Sequence, residues 1–473
     1  MLFSSAQFVF LFLPLSLVGY FVTARLFGQR ASLWWLIVCS LFFYGYWKFE
    51  YLPLLVGSIA ANFAISRGIQ HYIAPPVPAR SKSFALLMLG IALNLGLLAY
   101  FKYFAFLIET VNGLVRSDLS VPDILLPLAI SFFTFQQITY LVDSYKGKAE
   151  RSSALNYAVF VTFFPQLIAG PIVHHKEMMP QFMRRTTSML RWKNLLAGCI
   201  IFSLGLFKKV VIADTFAIYA DVGYADHTQL TILDAWITTF SYTFQLYFDF
   251  SGYSDMAIGA ARMFGIRLPL NFFSPYKALS IQDFWRRWHI TLSRFLRDYI
   301  YIPLGGNRRG EMRVSANLMT TFLLGGLWHG AGWTFIIWGA IHGAGLVVER
   351  AFAMTGLRLP TILKWALTFF MVHLAWVFFR AESAAQAVDI LQTMFGLNPD
   401  AMEGPKHVVI SDASAAGKYL LLALIGVLAL PNTDQFSRDI RPMWKTVLAS
   451  ILFGIACIFM LISRSDVFLY FNF

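Results

Sequence analysis

The sequence predicts an all-α, polytopic integral membrane protein with about 11 transmembrane helices. The 473 residues are 58% hydrophobic and only 13% charged, whereas soluble domains carry roughly 25% charged residues. Phenylalanine alone contributes 47 residues, which is more apolar surface than a water-soluble fold can bury. Apolar runs recur along the whole chain without an intervening polar domain, so we expect one membrane domain over 1–473.

Most of the apolar runs approach the roughly 20 residues that a helix needs to cross the hydrocarbon layer. The runs are 8–23, 33–47, 51–65, 84–108, 124–142, 154–173, 194–213, 232–260, 314–348, 361–379, 417–430 and 446–462. They are separated by short polar segments, the longest of which are 264–313 and 380–416.

Two of these runs are expected to be irregular. The run 154–173 has basic residues on both flanks and contains Pro165, Gly170 and Pro171, and proline interrupts helices. The run 314–348 is too long for one crossing and contains several glycines. Because broken backbone at membrane depth is tolerated only where it lines a protein cavity, we expect re-entrant or broken helices here.

The distribution of charge predicts the orientation in the membrane. Lys and Arg accumulate in cytoplasmic loops, and the segments rich in them are 25–30, 67–82, 146–151, 176–193, 262–313 and 438–445. The stretch 214–234 has four aspartates and no Lys or Arg, so we place it outside, with 109–123 and 382–412. The net charge of +13 therefore indicates loops and contacts with membrane lipids, and no nucleic-acid partner is expected.

His329 is the sharpest candidate among the nine histidines. It lies in the apolar run 314–348 within the sequence LGGLWHGAGW. An ionisable residue at bilayer depth marks a functional site by default, and the neighbouring glycines would let a substrate approach the backbone. A packing histidine at a contact between helices rich in small residues explains the same spacing equally well.

His289 belongs to a second candidate segment, 284–299, which we interpret as one amphipathic helix at the cytoplasmic interface. The face that carries His289 also carries Trp285, Trp288, Leu292 and Leu296, and the other carries Arg286, Arg287, Arg294 and Arg297. Either the arginines simply bind lipid headgroups, or the aromatic face also lines a cavity and the arginines attract a phosphate-bearing donor.

The remaining polar candidates carry weaker signals. Asp249, Ser251, Tyr253 and Asp255 form a polar patch in an apolar run and either bond to neighbouring helices or line a pathway. His174-His175 lacks the spacing of a HExxH site, and a solvated loop is the favoured interpretation. His373 is interpreted as a satisfied packing residue, and the three cysteines show no metal-type spacing. We therefore expect no metal and no bound cofactor.

Taken together, these segments resemble the membrane-bound O-acyltransferase (MBOAT) family, and most closely its bacterial branch that acetylates exported polysaccharides such as alginate. The residues that carry the resemblance are 163–171 (FFPQLIAGP), 245–259 (QLYFDFSGYSDMAIG), 284–289 (FWRRWH), 297–299 (RDY), 303–307 (PLGGN), 325–330 (GGLWHG) and 338–343 (WGAIHG). The opening residues 3–5 (FSS) and 10–14 (FLFLP) also resemble that branch, so the resemblance covers nearly the whole chain. No GxSxG elbow, Walker motif or dinucleotide fingerprint is present.

The resemblance implies an acetyltransferase of the bacterial inner membrane with His329 and His289 as catalytic residues near the middle of a central tunnel. The expected tunnel-lining residues are Trp285, Trp288, Trp328, Asp249, Ser251, Tyr253, Arg297 and His342. It further implies acetyl-CoA as the cytoplasmic donor, and the expected partners are a periplasmic SGNH-type acetyltransferase and the machinery that makes and exports the polysaccharide. A lipid or protein acceptor, or a transporter or channel, remains the alternative.

Overall fold

A computed structural model of the chain describes residues 1–74, 78–168, 170–308, 310–398 and 408–462. These residues form helices joined by turns, and no strand occurs among them. The helices group into two compact units, one of 1–202 with 256–269 and one of 203–255 with 270–473. The prediction of one membrane domain over 1–473 stays a prediction.

The first unit is built from helices packed side by side. They are α1 (Gln7–Phe27), α2 (Gln29–Gly45), α3 (Phe49–Ile73), α4 (Arg80–Val115), α5 (Ile130–Tyr145), α6 (Ala154–Thr162), α7 (His175–Met183) and the beginning of α8 (Trp192–Ala225). Phe8 and Phe43 pack edge to face with ring centroids 5.7 Å apart and join α1 to α2. The amides of Asn62 and Asn94 bond to each other and join α3 to α4, because a buried amide needs a partner.

The second unit contains the rest of α8 and the helices that follow. They are α9 (Ile232–Met263), α10 (Ile281–Arg287), α11 (Ile290–Leu296), α12 (Glu311–His329), α13 (Trp333–Met354), α14 (Thr361–Arg380), α15 (Ala384–Met394), α16 (Ala413–Ala429), α17 (Thr433–Ser437) and α18 (Met443–Ile462). All of α9 except its last eight residues belongs to this unit.

Close backbone contact makes α12 and α13 an antiparallel hairpin. A Cβ atom on Gly326 would collide with the carbonyl oxygen of Phe335, and one on Gly339 would collide with that of Phe322. The sums of the paired residue numbers are equal, as an antiparallel register requires. The hairpin fixes the C-terminal end of α12, where His329 lies.

The all-helical, polytopic membrane class is confirmed. Seven of the described helices are long and apolar enough to cross a membrane, and α16 is apolar but shorter. Many large apolar side chains on these helices are exposed, for example Leu26 at 66% and Ile458 at 58%, because their partner in the membrane is lipid.

Both segments expected to be irregular are irregular. Helix α6 ends at Thr162, and the buried chain then forms one short turn, Phe164–Leu167, before α7. The run 314–348 is divided at residues 330–332 between α12 and α13.

Candidate active site

His289 lies between two short helices, which corrects the expectation of one helix over 284–299. Helix α10 ends at Arg287 and α11 begins at Ile290. His289 adopts the left-handed conformation with φ 42°, a conformation that is strained for a residue with a Cβ. The expected division of faces is nevertheless confirmed, because Trp285, Trp288 and His289 are all buried.

Asn271 accounts for the break and for the orientation of the His289 ring. Its backbone carbonyl accepts the N–H of Ile290 at 3.0 Å, so this N–H does not continue a helix from α10. Its side-chain Oδ1 accepts from the backbone N–H and the hydroxyl of Thr291 at 3.4 and 2.9 Å. Because a backbone N–H can only donate, these bonds identify Oδ1 as the acceptor oxygen.

The same oxygen determines the tautomer of His289. Nδ1 of His289 lies 3.1 Å from Oδ1 of Asn271, so Nδ1 must carry the proton and donate. In the neutral ring the other nitrogen, Nε2, then has a free lone pair. Nε2 is buried without a hydrogen-bond partner in the part of the chain that the structure describes. His289 is therefore arranged to accept a proton or a hydrogen bond at Nε2.

His329 lies beside His289 at the last residue of α12. Its side chain is buried, and the two imidazole centroids are 6.3 Å apart. Trp338 and Phe379 pack edge-on against its ring at 5.0 and 5.2 Å. Trp328 contacts both imidazoles, at 5.0 Å from His329 and 6.0 Å from His289. The structure thus brings both predicted catalytic histidines into one aromatic environment.

The glycines near His329 make room for neighbouring protein atoms and not, as expected, for a substrate. Gly326 makes room for the backbone of α13, and Gly330 makes room for the ring of Phe335. The expectation that they leave space for a substrate beside the backbone is therefore wrong at these positions, because protein atoms already occupy the space.

His342, Trp285 and Trp288 extend the aromatic environment. Nε1–H of Trp285 donates to Nδ1 of His342 at 3.2 Å, so the proton of the neutral His342 ring lies on Nε2. Trp338 packs against His342 at 4.8 Å, and Trp288 packs against Trp376 at 4.9 Å. These side chains bury the two catalytic candidates away from water, which strengthens electrostatic interactions at the site.

Two members of the polar patch of α9 have charge partners that the sequence analysis missed, and one of them is Asp255, whose Oδ2 lies 2.7 Å from Nζ of Lys208. Asp249 Oδ1 lies 2.8 Å from Nζ of Lys209, which also contacts Asp214 at 2.6 Å. Ser251 and Tyr253 are buried in the same stretch. Lys209 lies in the apolar run 194–213, and a lysine there predicts a buried acidic partner, although the sequence does not say which one.

Arg297 is exposed, unlike the other residues that were expected to line a tunnel. Its side chain is 60% exposed, and its Nε donates to Asp298 at 2.7 Å. The other expected lining residues are buried. Asn271 is the second functional candidate that sequence reasoning missed, since an asparagine in a polar segment carries no signal of its own.

Two further histidine interpretations are tested by the structure. His373 is a satisfied packing residue, as expected, because its ring nitrogens lie 2.8 and 3.5 Å from the hydroxyls of Thr243 and Thr239. The solvated-loop interpretation of His174-His175 is wrong for His175, which is 3% exposed. The Asp143 carboxylate stabilises His175 in this buried position, since it lies 3.1 Å from Nε2 of His175.

Fold and site together define a helical membrane protein with two buried histidines suited to proton transfer. Comparison with known sequences identifies the family: a model of the membrane-bound O-acyltransferase (MBOAT) family matches residues 85–382. The chain belongs to this family, and it is an acyltransferase.

Two of three relatives align over nearly the whole chain, and the third aligns over less than half of it. A peptidoglycan O-acetyltransferase of Helicobacter pylori is 46% identical over 100% of this chain and 98% of its own length. A probable alginate O-acetylase AlgI of Pseudomonas aeruginosa is 44% identical over 91% of this chain and 82% of its own. A teichoic acid D-alanyltransferase of Bacillus subtilis is 28% identical over 43% of this chain and 53% of its own.

Proposed function

We propose that the protein takes acetyl groups from a cytoplasmic donor, acetyl-CoA, and passes them through the bacterial inner membrane for O-acetylation of an exported polysaccharide. The similarity to O-acetyltransferases of alginate and peptidoglycan supports this proposal. Both of those acceptors are glycans, and a glycan that is modified after export is separated by the membrane from thioesters made inside the cell.

The observation that carries the proposal is the pair of buried imidazoles. The ring centroids of His289 and His329 are 6.3 Å apart. Nε2 of His289 is the acceptor nitrogen, because Nδ1 donates to Asn271. His329 accepts the proton of the acceptor hydroxyl while the hydroxyl oxygen bonds to the acetyl carbonyl carbon. The tetrahedral intermediate then breaks its C–S bond, and the proton passes from His329 to the leaving thiolate. General-base catalysis of this kind contributes roughly a hundred- to ten-thousandfold.

The tautomer of His289 limits the part that it plays. With its proton on Nδ1, the neutral ring cannot donate from Nε2 to a developing oxyanion. It can accept a hydrogen bond at Nε2, either from His329 or from the reacting hydroxyl. We therefore assign His289 to orienting His329 and the hydroxyl, and the oxyanion needs another donor.

Cationic groups in the 284–299 segment are suited to the donor. Arg286 and Arg297 are exposed on the segment whose opposite face carries the buried Trp285 and His289. Guanidinium groups bind phosphate through paired hydrogen bonds, and coenzyme A carries phosphates. Arg297 would thus contact the donor outside the aromatic interior and would not line a tunnel.

The acceptor side requires a partner if the glycan does not enter the membrane. We propose a periplasmic SGNH-type acetyltransferase and the polysaccharide synthesis and export machinery as partners. A cell-wall glycan is the second candidate acceptor. It is favoured by the Helicobacter pylori relative, whose alignment covers almost all of both chains.

Deleting and restoring the gene tests the proposal and distinguishes the acceptors. Alkali-labile acetate is measured separately in the secreted polysaccharide and in isolated peptidoglycan. We expect one of these fractions to lose its acetate on deletion and to regain it on complementation. Labelling from [14C]acetyl-CoA should require access to the cytoplasmic face of membrane vesicles. Unchanged acetate in both glycans would overturn the proposal.

A further inference from the structure

Asp143, His174 and His175 form a compact cluster in the first unit. Nε2 of His174 and Nε2 of His175 lie 2.6 and 3.1 Å from the same oxygen, Oδ2 of Asp143. One ligand atom from each of the three side chains lies within 4.8 Å of the others. The cluster joins the end of α5 to the beginning of α7, about 30 residues later in the chain.

We propose that this cluster binds one divalent transition-metal ion, with Zn²⁺ as the ion of choice. Two imidazole nitrogens and one carboxylate oxygen are a donor set that zinc accepts, with bonds of about 2.0–2.2 Å. Tetrahedral ligands at that radius lie about 3.3 Å apart. The two N–O distances of 2.6 and 3.1 Å therefore need to open by less than an ångström.

The side chains are available in the forms that a metal binds. The pKa of His175 is lowered to about 4, first by burial and then by the neighbouring His174, while Asp143 raises it. A lowered pKa favours the neutral imidazole that a metal binds. Tyr140 packs edge-on against its ring at 5.3 Å, and the backbone carbonyl of Asp143 accepts from Lys148 at 2.8 Å, so neighbouring groups hold both residues in place.

Hydrogen bonds alone would also hold the cluster together, so the cluster without an ion must be compared with the cluster that binds one. Without an ion, both Nε2–H groups donate to Asp143, and Nδ1 of His174 accepts from the backbone N–H of Lys176 at 3.3 Å. Metal binding moves each ring proton from Nε2 to Nδ1 through solvent, with no change of charge on the rings. It costs the long bond from Lys176 and replaces two hydrogen bonds by three metal bonds.

The ion would clamp the irregular chain that precedes α7. Residues 171–173 are buried and not helical, and they lead directly to His174 and His175, so an ion at the cluster would tie this stretch to the end of α5. His174 is 25% exposed, whereas Asp143 and His175 are each 4% exposed at their side chains. The exposed side of His174 therefore offers a path for the ion and a position for a water as fourth ligand. This role is structural and does not depend on the proposed function.

Metal analysis of the full-length protein tests the proposal. The protein is purified in detergent without a polyhistidine tag, stripped with chelator, and dialysed against Zn²⁺. We expect one zinc per chain in the wild type and at least about a tenfold loss of affinity in Asp143→Asn and His175→Gln. His227→Gln is the matched control, because His227 also lies near a carboxylate, Asp389, at 3.9 Å, and it should bind zinc as the wild type does.

The wild type alone can overturn the proposal, whether or not the variants fold. If it binds no zinc after dialysis, the cluster is held by hydrogen bonds only. X-ray absorption at the zinc edge is a second, independent test of the site. Two imidazoles and no sulfur in the first shell support the site, whereas a sulfur ligand would move the ion to a cysteine and contradict it.

Discussion

At the scale of single residues, Asn271 determines what His289 can do. One oxygen accepts from Nδ1 of His289 and from both donors of Thr291. The amide nitrogen of Asn271 donates to Ser254 at 3.2 Å, which holds the oxygen toward His289. Asn271 is a positioning residue, because it acts on the reaction through the His289 ring.

Asn271→Leu should lower kcat by roughly ten- to a hundredfold. Leucine has a similar shape but no acceptor, so Nδ1 loses the bond that fixes the tautomer. KM for the acetyl donor should change little, because Asn271 contacts His289 and not the donor. The measurement is steady-state acetyl transfer by purified protein at matched concentration.

Asn271→Asp is the conservative control for this position. A carboxylate oxygen can still accept from Nδ1 of His289 and from Thr291, and Ser254 can donate to the second oxygen. This variant should keep more activity than Asn271→Leu. Equal loss in both variants would show that the residue only supports the local fold.

At the scale of elements, α12 and α13 can approach closely only because glycine lies at the contact. Gly326→Ala should lower the free energy of unfolding by roughly 1–3 kcal/mol, since its Cβ meets a backbone carbonyl that cannot rotate away. Activity should fall as well, because α12 carries His329. Thermal unfolding in detergent and acetyl transfer are measured together.

Gly417→Ala is the control for Gly326→Ala. Gly417 also lies inside a helix, α16, but a Cβ there meets no atom within 4 Å. Alanine should be neutral or stabilise the helix by roughly 0.5–1 kcal/mol. Equal destabilisation by both changes would contradict the close-packed hairpin.

Asp249 is a structural charge partner as well as a candidate of the polar patch. Asp249→Ala should cost about 3 kcal/mol of unfolding free energy, because it leaves Lys209 buried with one acidic partner fewer. Ser251→Ala, in the same buried stretch, should cost much less. Comparable melting temperatures for the two variants would show that the Lys209 ion pair contributes nothing.

Several elements could be predicted from the sequence because their signals are local. Pro165 and Pro171 mark the broken run 154–173, and glycines mark the break after His329. The break at His289 could not be predicted, since the 284–299 segment has regular helical spacing and Asn271, which interrupts it, is distant in sequence. Asp249, one of the two charged partners of Lys209, was unpredictable for the same reason, whereas the other partner, Asp214, is a near neighbour in sequence.

At the scale of the whole molecule, composition determines the membrane class, and charge asymmetry predicts the topology. We expect 262–313 in the cytoplasm and 214–234 outside. In a background lacking Cys39, Cys199 and Cys457, Thr228→Cys should react with an impermeant thiol reagent in intact cells. Arg308→Cys should react only after the cells are opened.

Both introduced cysteines replace exposed side chains, so failure to react would reflect the side of the membrane and not burial. Labelling of Arg308→Cys in intact cells would overturn this layout. It would also place the arginines of α10 and α11 on the wrong side for a cytoplasmic donor.

We expect His329 to accept the hydroxyl proton during acetyl transfer, and His329→Gln separates this role from hydrogen bonding alone. Glutamine can form hydrogen bonds but cannot take a proton at neutral pH. His373→Gln is the control, since His373 is a buried histidine that bonds to Thr239 and Thr243. The measurement is the alkali-labile acetate of the exported glycan at matched protein levels. We predict a fall to the level of the deletion strain for His329→Gln and near-normal acetate for His373→Gln. Normal acetate in His329→Gln would contradict this expectation and transfer the role of base to His289.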